Sequence, residues 1–342
     1  MPSATTPTPA GPRGGLRSPA LRQSLLISAA CVAALLAVNF SLFRTGTVAV
    51  VLLSGLYQGM LFFLVAAGMS IVFGLLDVLN LAQGAYFMLG AYAGFAIYGA
   101  LPAGVPLEVR FAAALLGAVL TGALLGAATE VVLLRPLYVR PLFQIVLTFG
   151  LSMVITEIVR TAYGPAGLIP IQKPAALDTT FQVLGGQFET YRLFIIVVGA
   201  LLMVGISLLL QKTRLGIVIR AGVQDREMVE ALGIHVRRVF TLVFMLGTAV
   251  AALGGMTAAP FLGAHPGMGA DFLLTAIIVI VIGGMSSYEG TAIASVLVGL
   301  TRATAEQISL QYLNTPIMAS VSILVFMVIV LLVRPNGLFG RE

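Results

Sequence analysis

The sequence predicts an all-α fold: a polytopic membrane helix bundle of about eight to ten spans, some of them broken, with an internal repeat. Three observations predict it. Only 9% of the 342 residues are charged while 59% are hydrophobic, and the mean hydropathy is +1.05. A soluble domain carries about 25% charged residues, so this chain has too little polar surface to dissolve. Uncharged runs long enough to cross a bilayer, about 20 residues as a helix, recur along the sequence. The 38 glycines suit spanning helices whose backbones approach closely.

Residues 1–22 are rich in Pro, Ser, Thr and Gly and carry Arg13, Arg17 and Arg22, which predicts a disordered tail. The body of the protein is then 23–340. Its first apolar run, 23–43, exceeds the roughly 7–15 residue core of a signal peptide and reads as a spanning helix, with an uncleaved signal-anchor as the alternative. After Arg44 comes the uncharged run 45–76. As one straight helix it would be roughly 48 Å long, against a hydrocarbon core of about 30 Å. It must tilt strongly or break, and Gly55, Gly59 and Gly68 offer places to break. Spans follow at about 83–100, 110–131 and 142–162, with Pro136 and Pro141 stopping helices beside Arg135 and Arg140. A polar loop, 164–191, precedes a span at 193–210. A charged interval, 212–238, precedes another at about 239–262. The short runs 272–282 and 290–300 are either two short or tilted crossings or one broken pair, and 316–333 closes the series. With the short pair counted as two crossings there are ten, and both termini share a side. Thirteen of the 19 Lys and Arg residues then fall with the tail, the charged interval and the C-terminus, which puts these in the cytoplasm.

The chemistry available is narrow. Cys31 is alone, which excludes an internal disulfide and a multi-cysteine metal site. His235 and His265 are the only histidines, and HExxH and paired intramembrane aspartates are lacking, so metal or acid–base catalysis has almost no residues to use. No cofactor is expected. Without a GxxxxGK[ST] motif, any ATP must be bound by another chain. The net charge of +6 is spread along membrane edges, so nucleic acid is not an expected partner. Gly90/Gly94 and Gly122/Gly126 are GxxxG pairs that indicate close helix packing. Glu157 and Arg160 read as a pair snorkelling at an interface, and Glu130 is read the same way.

Three stretches remain. Asp77–Tyr92 and Gly283–Gly299 place glycines and polar residues where a helix leaves or enters the membrane, a trace of repeated transporter folds. Asn80, Gln83, Gly84, Ser286, Ser287 and Glu289 therefore lie near a pathway or gate, or else form ordinary polar turns at the cytoplasmic surface. The third stretch is Gln211–Arg238, with six cations and three anions. Within it Asp225–Leu232 reads as a short helix: Asp225 can cap it, Met228, Ala231 and Leu232 form an apolar stripe, and Gly233 can end it. It is either a handle for a soluble partner or a solvated loop helix.

At these stretches the sequence resembles the permease subunits of bacterial branched-chain amino acid ABC importers, specifically the first of the two paired permeases. GMSIVFGLLDVLNLAQGAYFMLGAY (Gly68–Tyr92) is similar to the family's N-F-A-H-G…G-[SA]-Y segment, with Leu81 and Gln83 where the aromatic and histidine are common. RAGVQDREMVEALGI (Arg220–Ile234) resembles its ATPase-docking loop, and VIGGMSSYEGTAIASVLVGL (Val281–Leu300) its late glycine-rich segment. The likeness covers roughly 48–340. It implies a permease domain in the plasma (inner) membrane. The partners it implies are a second permease, two ATP-binding-cassette subunits and a periplasmic or extracellular substrate-binding protein. It also implies docking through Arg220, Asp225, Arg226, Met228, Glu230, Leu232 and Gly233. Family substrates are leucine, isoleucine, valine and related amino acids, and close relatives carry urea or short amides. An ATP-independent secondary transporter is the less favoured alternative, because mid-membrane coupling charges are nearly absent, and a membrane enzyme would need a catalytic constellation that the sequence lacks.

Overall fold

The long uncharged runs fold as helices because a backbone in lipid must satisfy its own hydrogen bonds. A computed structural model describes residues 19–340 apart from 77–78, 103, 139, 169, 225–227, 230–232, 234, 313–314 and 316. In chain order it contains α1 (Pro19–Leu42), α2 (Thr45–Leu76), α3 (Gln83–Ala100), α4 (Leu107–Ala128) and α5 (Pro141–Tyr163). Next come a small antiparallel hairpin of β1 (Thr180–Val183) and β2 (Gly186–Glu189), then α6 (Thr190–Lys212) and α7 (Arg214–Gln224). The last helices are α8 (Val236–Leu262), α9 (Met268–Gly283), α10 (Tyr288–Tyr312) and α11 (Ile317–Val333). The expected tail lies largely outside the described residues.

Six of these helices are long and apolar enough to cross a membrane: most of α1 and α2, α4 with its extension, α5, α6 and α8. The α9–α10 pair, bent by 118°, makes a seventh. The ten crossings counted from the sequence included the two arms of this pair separately, together with α3 and the short α11. Gly284 (φ +99°) allows the corner, and the C-terminal strap holds it: Leu338 N donates to Ile282 O (2.7 Å) and Phe339 N to Gly283 O (3.1 Å). The arms are longer than the runs 272–282 and 290–300 because α10 continues through Arg302 and Glu306, charges that lie against α2 instead of ending the helix.

α2 is one unbroken helix of 32 residues. Its glycines are seams, not breaks. A Cβ on Gly55 would lie 2.7 Å from Leu300 Cα, one on Gly59 2.8 Å from Ser295 O, and one on Gly68 would overlap Gly247 O. α10 and α8 thereby press directly on the α2 backbone. The two GxxxG pairs serve the packing expected of them. Cβ atoms on Gly90, Gly94, Gly122 and Gly126 would all run into α8, at Ala252, Met256 and Thr248. α8 therefore sits among α2, α3 and α4, and the residues at the centre are fully buried Phe63, Phe87, Phe244, Tyr86 and Tyr191. The tyrosines keep their hydroxyls paired, Tyr86 to Thr129 Oγ1 (2.7 Å) and Tyr191 to Thr257 O (2.8 Å), as buried hydroxyls require.

Candidate functional site

The described part of the charged interval begins at the end of α6 and continues into α7. α7, which the sequence reading passed over, follows α6 after Thr213; its signal was the helical spacing of Leu215, Val218 and Ile219. A Cβ on Gly216 would overlap Leu210 O, so α7 folds back tightly on the end of α6. Of the docking residues named from the resemblance, Asp225, Arg226, Glu230 and Leu232 lie outside the described residues, as does the side chain of Arg220. Met228 and Val229 are helical; Met228 is 59% exposed while Val229 is buried. Gly233 is exposed at φ +80°, the conformation that ends a helix.

The candidate gate residues separate into two groups. Asn80 and Gln83 are buried and bonded. Asn80 Oδ1 accepts from Ala82 N (3.1 Å), Asn80 Nδ2 donates to Gln83 Oε1 (3.2 Å), and Gln83 Nε2 donates to Gly247 O (2.9 Å). Gly84 is pressed on Gly269, where a Cβ on the latter would lie 2.7 Å from Gly84 O. These three residues tie the start of α3 to α8 and α9. Ser286 and Ser287 occupy the corner before α10 and Glu289 its first turn, at the same end as the charged interval. Ser287 Oγ accepts from Gly290 N (3.0 Å), capping α10, and Glu289 accepts from Gln211 Nε2 (2.7 Å) at the end of α6.

Glu130 differs from expectation. It lies in a π-helical turn, Thr129–Leu134, that extends α4, and its side chain is 0% exposed. Its carboxylate accepts hydrogen bonds from Tyr138, from Thr241 (2.6 Å) and from Arg135 (3.3 Å). A snorkelling carboxylate would reach water; this one reaches across to α8, six residues into the chain after His235. π-turns concentrate where helix geometry serves function. Glu157 and Arg160 pair at 3.1 Å with both side chains at least half exposed, as the sequence suggested.

At the opposite end, near the β-hairpin, five helices enclose a cavity of about 420 Å³ that the sequence reading did not find. Gln58, Arg192, Arg302 and Glu306 bring polar groups to its wall, and Tyr57, Phe62, Phe261 and Phe272 bring rings. The only trace in the sequence is Gln58 inside an apolar run and an Arg–Glu pair at helical spacing, 302 and 306.

The family described as branched-chain amino acid transport system / permease component matches residues 51–333. The high-affinity branched-chain amino acid transport system permease protein LivH of Salmonella typhimurium is 29% identical over 301 residues, covering 84% of this chain and 94% of LivH. BraD of Pseudomonas aeruginosa, named likewise, is 28% identical over 299 residues, covering 85% and 95%. The fructose import permease protein FruF of Bifidobacterium longum is 26% identical over 293 residues, covering 83% and 78%. No solved structure gives a significant match.

Proposed function

The chain belongs to the family of branched-chain amino acid transport permease components, and on that premise we propose that it is the membrane-spanning permease subunit of an ATP-driven ABC importer. It moves branched-chain or related amino acids across the bacterial plasma (inner) membrane. The family match over 51–333 carries the reading. The subunit works with a second permease, two ATP-binding-cassette subunits that hydrolyse ATP, and a periplasmic or extracellular substrate-binding protein. The tail, the charged interval and the C-terminus are cytoplasmic, as the distribution of Lys and Arg supports.

Arg220–Gly233 is the docking segment. Met228 and Leu232 fill an apolar groove on the ATPase, and Arg220, Asp225, Arg226 and Glu230 make polar contacts around it. Exposure of Met228 beside buried Val229 supports this, because Val229 anchors the segment while Met228 faces outward. Closure of the ATPase pushes on this segment. The Gln211–Glu289 bond would pass the push to α10, and the Thr241–Glu130 bond would link α8 to α4. The bundle then rocks between outward- and inward-facing states.

The test is the double substitution Met228→Asp, Leu232→Asp in the full complex. The ATPase subunit should no longer co-purify, and leucine uptake should fall with it. Unchanged co-purification and uptake would remove the docking role, as would labelling of 212–238 from the outer face. The fructose import permease among the relatives, and the urea or short-amide alternative within the family, make leucine, urea and fructose the panel for uptake.

A further inference from the structure

The cavity near the β-hairpin is built like a receptor for a small zwitterion. Its volume, about 420 Å³, lies within the roughly 300–1,000 Å³ of small-molecule sites. Two buried polar atoms in its wall, Gln58 Oε1 and Arg302 Nε, have no hydrogen-bond partner among the described residues, and a third, Arg192 Nε, has none beyond the Glu189 carboxylate 3.6 Å away. Orphaned atoms of this kind are rare in native proteins and mark places where something else supplies the partner. The guanidinium groups are held in place by rings. Arg192 lies 5.0 Å from the Tyr57 ring and 4.9 Å from Phe261, and Arg302 lies 5.5 Å from Phe62. Glu306, one turn from Arg302 on α10, accepts a hydrogen bond from Gln58 Nε2 (3.0 Å) and forms no ion pair among the described residues. The wall thus carries two cations, one anion and an apolar floor where the Phe62 and Phe272 rings meet at 6.1 Å.

We propose that this cavity receives the transported solute on the side where it enters, and that the solute is a free α-amino acid with an aliphatic side chain. Arg302 and Arg192 take the α-carboxylate, Glu306 takes the α-ammonium, and Phe62, Phe261 and Phe272 hold the side chain. The assignment rests on the importer reading for its direction of transport, but the site itself rests on the charges. Arg192 keeps Glu189 at 3.6 Å, but a neutral sugar or urea would leave half-buried Arg302 and Glu306, which form no ion pair among the described residues, without an opposite charge. An amino acid pairs its carboxylate with Arg302, the cation of the wall that has no ion pair among the described residues, and its ammonium with Glu306. Position fits entry: Arg192 is 20 residues along α6 from Lys212, about 30 Å from the docking end.

The decisive measurement is ligand protection in the purified full complex. Ser54 lines the cavity. In a Cys31→Ser, Ser54→Cys chain, saturating L-leucine should slow labelling of the new thiol by a small methanethiosulfonate reagent about threefold or more, as two-thirds occupancy requires. Leucinamide, which lacks the carboxylate, and fructose should not. Adding Glu306→Gln or Arg302→Gln should abolish the protection, and Arg302→Lys should restore part of it. In proteoliposomes with binding protein and ATP, Glu306→Gln should lower leucine uptake about tenfold, equivalent to ~1.4 kcal/mol, with the ATPase still co-purifying. Labelling that leucine does not slow overturns the site, whatever the transport result. Protection in the Ser54→Cys complex, with no leucine transport by the wild-type complex, keeps the site and overturns the importer reading. Loss of binding-protein capture by Glu306→Gln, with leucine protection intact, overturns the site in favour of a docking rim.

Discussion

Replacing Glu130 by alanine tests whether the buried carboxylate holds the α4–α8 junction. Hydrogen bonds to a charged group contribute about 1.5–3 kcal/mol each, and Glu130 accepts three. They do not sum. Thr241 Oγ1 has a second acceptor in Arg237 O at 3.0 Å. The Arg135 side chain is 33% exposed, so it rehydrates and its share shrinks towards that of a surface pair. What remains is mainly the Tyr138 bond and the space left by the side chain, about 2–3 kcal/mol. At roughly 2 °C per kcal/mol for a long chain, the midpoint should fall by about 5 °C. The assay is the monodisperse fraction after heating in detergent, read by size exclusion. Glu130→Gln, which keeps the shape and acceptor oxygen, should lose about half as much. Glu157→Ala is the internal control: its pair is at least half exposed and should be worth less than about 1 kcal/mol. If Glu130→Ala and Glu157→Ala melt within about 1 °C of each other, the buried network contributes no more than a surface pair and the reasoning fails.

Other substitutions probe the seams. Gly255→Ala places a Cβ on the Phe87 carbonyl oxygen and should destabilise by about 1–3 kcal/mol or more, whereas Gly205→Ala, with nothing within 4 Å, should be neutral in the same assay. Gln83→Leu leaves the Gly247 carbonyl without its side-chain donor and should cost about 1–3 kcal/mol, with the KM for uptake unchanged. A changed KM at unchanged stability would instead return Gln83 to the pathway. Truncation after Asn336 removes the strap on the α9–α10 corner and should increase protease cleavage near Ser286.

Much of the architecture was legible because charge ends a spanning run in most places. Arg44, Lys212 and Arg334 each fall within two residues of a helix end. The same rule misled at Arg302 and Glu306, where the helix continues because a cavity wall accepts the charges. Glycine carried two meanings. Gly55, Gly59 and Gly68 could equally break a helix or admit a neighbour, and only the approach of Leu300, Ser295 and Gly247 decides between them. Glu130 was misread for a related reason: its partners Tyr138 and Thr241 are eight and 111 residues away, and the π-turn that aims it has no local signature. Asn80 and Gln83, read from the sequence as near a pathway or gate or as polar turns, are bonded to each other and to the α8 backbone.

The contacts of Gly68 with Gly247 and of Gly84 with Gly269 are backbone on backbone, at 2.8 and 2.7 Å from an added Cβ. The side chain at the first contact, Gln83, is itself bonded to Gly247 O and to Asn80, which ties the helices together there. A solute crossing at that depth would have to travel along the flank of the subunit, with its other wall lent by a neighbouring protein. One copy of this chain would then supply a single wall of the conduit.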